Sequence, residues 1–150
     1  MKKFSFSLGK VLSFEEQTLE KEKNLMGRLN AQRLELEEKL KRLEEQIRDL
    51  QEEKNSRIQK GTTVFQLKIL MGSIENGRKN QMELFRQKEQ LEQQIEIQRQ
   101  NVVKASQEVK KLENLKAKKL EEYHYAEAKE QQETISEHVA GEFVRHGVSI

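Results

Sequence analysis

Lys60-Gly61-Thr62-Thr63-Val64-Phe65-Gln66 is the stretch on which the fold turns. A long helical pattern precedes it and a longer one follows. Gly61 suits the left-handed position just past a helix end, where a Cβ would be strained. Thr63 and Gln66 have the spacing of a capping box, in which the hydroxyl accepts from a first-turn N–H and the amide reaches back. One helix therefore ends and another begins within about three residues, a connection length typical of antiparallel neighbours. The expected fold class is all-α: an antiparallel two-helix coiled-coil hairpin, with the second helix extended beyond the first.

Working outward, composition limits what else the chain could be. Charged residues make up 36% of the 150 against 34% hydrophobic, with two Tyr, six Phe and no Trp, Pro or Cys. So few apolar residues would not fill an ordinary globular core. Without Pro nothing forces a break in a long helix, and the Leu, Glu, Lys, Arg and Gln content is that of coiled coils. Disorder, the competing reading of so polar a chain, loses to the strict helical period of the apolar residues.

Before the turn, Leu12, Glu15, Leu19, Glu22, Met26, Leu29, Arg33, Leu36, Leu40, Leu43, Ile47, Leu50, Lys54 and Arg57 alternate at spacings of three and four. Such a sustained heptad pattern predicts a coiled-coil seam. Glu35–Lys39, Glu37–Lys41, Glu38–Arg42 and Glu44–Arg48 are expected i,i+4 pairs on the outer face, each worth about 0.2–0.5 kcal/mol. After the turn, the seam resumes at Leu67, Leu70, Ile74, Gly77, Gln81, Leu84, Lys88, Leu91, Ile95, Gln98, Val102, Ala105, Val109, Leu112, Lys116, Lys119, Tyr123 and Ala126. One domain is expected over 1–150, with helices over about 5–60 and 64–145, a turn at 61–63 and a kink at 72–77, where two glycines loosen the pattern.

Centring the turn on Thr62 registers the two arms. Paired residue numbers then sum to 124, so Ile47 faces Gly77, Leu40 faces Leu84, Leu29 faces Ile95 and Leu12 faces Leu112. Polar seam residues meet apolar ones: Arg33 faces Leu91, Lys88 faces Leu36 and Glu22 faces Val102. Such insertions cost stability but fix register. In this register residues from about Glu121 to Arg145 have no partner arm and should fray or dock elsewhere. Charge changes there as well: residues 104–119 carry six Lys against two Glu, while 121–142 carry seven Glu against Lys129.

Basic and acidic side chains number 28 and 26 and are finely mixed, leaving no stripe for a nucleic-acid backbone. No stretch approaches the roughly 18 apolar residues of a membrane span, so no direct membrane insertion is expected, and membrane association is expected only through a partner. The start of the chain lacks the apolar core of a signal peptide, and the absence of Cys fits a reducing cytoplasm. Glycine spacing matches no phosphate loop, and no nucleophile constellation is present. His124, His138 and His146 read as surface histidines rather than ligands, since imidazole ligands need closer spacing. No catalytic activity, metal or cofactor is expected.

Phe4-Ser5-Phe6-Ser7-Leu8-Gly9-Lys10-Val11-Leu12 and Val109-Lys110-Lys111-Leu112-Glu113-Asn114-Leu115-Lys116-Ala117-Lys118-Lys119-Leu120-Glu121-Glu122-Tyr123 resemble the opening and the C-terminal signature of the FliJ family, small proteins of the flagellar type III export apparatus. Gly61-Thr62-Thr63-Val64 stands where that family turns. The resemblance implies a stalk-like coiled coil that enters the flagellar export ATPase hexamer and contacts the cytoplasmic domain of the export gate and export chaperones. It places the protein in the cytoplasm, at the inner face of the cell membrane at the flagellar base. Carried onto this chain, the ATPase-facing end comprises Phe4, Phe6, Leu8, Val11, Leu12, Leu112, Leu115 and Tyr123. The gate-facing region falls on Leu70, Ser73 and Gly77, where members often carry aromatics that this chain lacks. The alternative is a prefoldin-like chaperone or another coiled-coil scaffold, in which Val64–Met71 would be a strand.

Overall fold

A computed structural model describes residues 1–147. Two helices account for nearly all of it, α1 (Gly9–Lys60) and α2 (Val64–His146), joined by residues 61–63. Gly61 takes the left-handed conformation with φ of 89°, which a side chain would make costly. The Gln66 N–H donates to Thr63 Oγ1 at 3.2 Å, so the first half of the capping box forms. The second half differs. Gln66 Oε1 accepts from the Thr62 hydroxyl at 3.1 Å, which ties the side chain to the turn.

Two other expectations change. Helix α1 begins at Gly9 rather than near residue 5, because a turn closes first, with the Gly9 N–H donating to Phe6 O at 3.0 Å. Helix α2 takes in Val64–Met71, so the strand that a prefoldin-like chain would need there is helix.

The chain divides into two compact units, Glu20–Val103 and Met1–Leu19 with the chain from Lys104 onward. In Glu20–Val103 the arms of the hairpin pack through a single apolar layer. Leu36, Leu91 and Ile95 are its buried centre, with Met26, Leu29 and Leu84 against them. Leu29 thus shares a cluster with Ile95, as the register requires. Nearer the turn, Ile47 faces Gly77 so closely that a Cβ there would lie 3.0 Å from Ile47 Cγ1. Every predicted α1 seam position is buried or half-buried, polar ones included.

Those polar seam residues do not simply abut apolar partners. The Lys88 ammonium reaches Glu37 at 3.7 Å, and Glu37 also lies 4.0 Å from Arg33 Nε. The Lys88 stem covers the apolar layer while its ammonium meets the Glu37 carboxylate at the rim, whereas Arg33 Nε is buried without a hydrogen-bond partner. Of the expected outer-face pairs Glu35–Lys39 and Glu38–Arg42 form, and Glu37–Lys41 and Glu44–Arg48 do not. Glu22 is similarly redirected. Gln98, buried to 4% exposure, donates through its amide nitrogen to the Glu22 backbone carbonyl at 2.9 Å and to the Glu22 carboxylate, and accepts from Asn101 at 3.3 Å. A buried amide without such partners would cost about 1–3 kcal/mol.

The helical glycines differ in what a methyl group would meet. Gly27 and Gly72 have open space at the Cβ position, so Gly27→Ala and Gly72→Ala should each raise stability by about 0.5–1 kcal/mol through helix propensity. At Gly77 the same gain is opposed by contact with Ile47, and Gly77→Ala should gain less than either. Urea midpoints of the three variants check the ordering.

Candidate functional site

In the unit formed by Met1–Leu19 and the chain from Lys104, Leu12, Ala105 and Val109 are buried, and Leu112 and Leu115 are half-buried. Beyond Leu112 the inward positions become Leu115, Leu120, Tyr123 and Glu127, while Lys116, Lys119 and Ala126 point to solvent. The predicted seam therefore holds without a break to Leu112 and fails at Lys116, Lys119 and Ala126, with Tyr123 the one later seam position turned inward. The physical reason is the partner: past that point α2 faces an extended segment instead of a helix, and no second helical period holds it in phase.

That segment is residues 1–6, a strap along α2. The Tyr123 hydroxyl donates to the Lys2 carbonyl at 2.5 Å. The Phe4 ring lies against the Tyr123 ring with centroids 5.6 Å apart and planes tilted by 58°, a separation at which aromatic pairs attract. Met1 reaches farther, its nitrogen 3.6 Å from Glu130 and its side chain lining a groove with Glu127, Gln131, Thr134 and Ile135. The expectation that α2 lacks a partner from about Glu121 is thus corrected for its first turns only: Tyr123 and Glu127 are half-buried, while residues 128–140 are exposed. Contact from this chain reaches as far as Met1 beside Glu130. Burial pushes the Tyr123 phenol above its ordinary pKa, and the neighbouring Glu127 carboxylate adds to the shift.

Of the residues assigned to the ATPase-facing end, the structure brings Phe4 and Tyr123 together and leaves Phe6 half-buried. Leu12 faces inward, whereas Leu8 and Val11 are exposed. Phe14, 64% exposed and one helical turn from Val11, extends this uncovered apolar row. On α2, Ile135, Val139 and Phe143 recur every four residues and are exposed, forming one apolar stripe. The basic band between them in sequence is solvated: Lys111 pairs with Glu108 at 3.2 Å and Lys119 with Glu122 at 3.5 Å, while Lys104, Lys110, Lys116 and Lys118 are exposed. Phe14 was legible in the sequence, since a large apolar side chain off the heptad seam has no place in the interhelix layer.

In Glu20–Val103, the gate-facing positions behave differently from one another. Leu70 and Gly77 are buried between the helices, and only Ser73 is exposed. The exposed apolar residues near the turn are instead Ile58, Val64, Phe65, Ile69 and Met71. No group of three or more His, Asp or Glu suited to a metal ion occurs among the described residues. His138 lies 3.2 Å from Glu142, an ordinary surface i,i+4 contact. No helix among them is long and apolar enough to cross a membrane.

Compared with protein families, the chain matches the one described as Flagellar FliJ protein over residues 4–147. Comparison with curated proteins and with solved structures finds no match.

Proposed function

Because the chain belongs to the flagellar FliJ protein family and thereby to flagellar protein export, we propose that it works without catalysis, as a helical stalk that engages the export ATPase ring. The ring-binding surface is the unit containing the N-terminal strap. The observation that carries this reading is the uncovered apolar row Leu8, Val11 and Phe14, set on the same unit as the exposed Ile135–Val139–Phe143 stripe. Exposed apolar rows that a chain leaves uncovered mark surfaces for a partner. Coupling to the cytoplasmic domain of the export gate and to export chaperones, at the inner face of the cell membrane, completes the role. Ser73 is the one gate-facing position open to such a contact.

Val11→Asp with Phe14→Asp tests the ring-binding reading, since both side chains are exposed and their replacement leaves the interhelix layer intact. Affinity for the hexameric export ATPase should fall at least about tenfold, the effect of losing roughly 1.4 kcal/mol of apolar contact, with helix content unchanged by circular dichroism. Unchanged ring binding, or unchanged stimulation of its ATPase activity, would defeat the assignment.

A further inference from the structure

From Lys54 to Ile74 the chain carries Lys54, Arg57, Lys60 and Lys68 and no acidic residue. Arg57 is shared with Glu53 at 2.9 Å, which leaves three lysines in the segment. Interleaved with them are Ile58, Val64, Phe65, Ile69 and Met71, all exposed; Phe65 is 72% exposed. Fine mixing of opposite charges, the rule along the rest of α1, stops at this turn. Large apolar side chains and unopposed cations replace it.

From this composition and placement we infer that the turn of the hairpin adsorbs to an anionic lipid surface. At about 100° per residue, Met71, Val64, Lys68, Phe65 and Ile69 spread over roughly 160° of α2, opposite the inward Leu67 and Leu70. That arc is broad and convex around the chain reversal. It suits a deformable interface better than a groove, which takes one narrow stripe. Val64 to Ile69 rises about 7.5 Å along the helix, within the roughly 5–10 Å over which interfacial segments bury apolar side chains. Lys60 and Lys68 have stems long enough to hold their ammonium groups at the phosphates while Phe65 and Ile69 sink. Each such cation adds attraction to an anionic leaflet that salt screens. No spanning segment is involved, and the surface is separate from the residues assigned to the ATPase ring.

Flotation of the full chain with vesicles provides the test. The chain should float with phosphatidylcholine vesicles containing phosphatidylglycerol, and at least about tenfold less with phosphatidylcholine alone. Raising salt from about 0.05 to about 0.5 M should release it. Phe65→Ser with Ile69→Ser should cut partitioning about tenfold or more, and Lys60→Glu with Lys68→Glu should do the same. Lys110→Glu with Lys111→Glu, equal in charge change but placed in the basic band, should have little effect. Absence of flotation with anionic vesicles would overturn the inference, including the case in which the tip variants lose binding to a protein instead. Equal loss in the Lys110/Lys111 variant would also overturn it, by showing adsorption through charge alone.

Discussion

Ile95→Asp should open the helix pairing of Glu20–Val103 at room temperature, with a large loss of helix content by circular dichroism. Ile95 is buried against Leu36 and Leu91, with Met26, Leu29 and Leu84 around them. Truncating such a side chain costs about 2–5 kcal/mol in a globular core. Here the layer is one residue deep and can collapse, so Ile95→Ala should fall in the lower half of that range. A carboxylate adds the cost of an unpaired charge among apolar neighbours, which either protonates it or separates the helices. Separation lowers the helix content because each isolated arm loses the packing from which most of its helicity comes. Ile97, two residues along and 60% exposed, provides the control: Ile97→Asp should change stability by no more than about 0.5 kcal/mol. Equal sensitivity at both positions would mean that α2 packs on a different face.

Tyr123→Ala should release the N-terminal strap. The ring gives up its contact with Phe4, and the Lys2 carbonyl loses the phenolic donor. Both contacts tie the strap to α2 and go together with the ring. Trypsin cleavage after Lys2 and Lys3 should therefore accelerate roughly fivefold to a hundredfold, since cleavage follows the population of the open form. Tyr123→Phe keeps the ring and should give a smaller acceleration. The strap should also open with pH in a defined direction. The folded-state pKa of Tyr123 is raised by burial first and by Glu127 next. The strap's hold is therefore fully present below the ordinary tyrosine value of about 10 and is lost as pH rises through the higher folded value. At neutral pH it stays closed. In a Tyr125→Phe background, tyrosinate absorbance should titrate above the usual range, and Glu127→Gln should bring the midpoint back down.

Strap closure bears on the surface proposed to bind the ATPase ring. With the strap in place, Phe4 and Tyr123 are partly spent on each other, and Leu8, Val11 and Phe14 carry the exposed apolar area on the N-terminal side. A ring that binds faster to Tyr123→Ala would be one that takes the face beneath the strap. The chain's own residues thus divide into those that hold the unit together and those that are free to meet something else, a division the family resemblance alone does not make.

The helix-turn-helix order and the pairing register were legible in the sequence because both follow from local rules. Gly61 alone permits the left-handed turn, and a repeat of three and four keeps Leu12, Leu36, Leu40 and Ile47 on one face wherever a second helix runs alongside. Burial of those four, and the meeting of Ile47 with Gly77, follow directly. Periodicity has nothing to say where the partner is not a helix. Only the tertiary structure decided that residues 1–6 lie extended on Tyr123, that the seam shifts to Leu115 and Leu120, and that Lys116 and Lys119 turn outward. Likewise, a heptad position names a direction but not a reach. The flexible side chains of Gln98 and Lys88 found Glu22 and Glu37 because unpaired polar groups in an apolar layer are costly, and distance in space selects the partner that removes the cost.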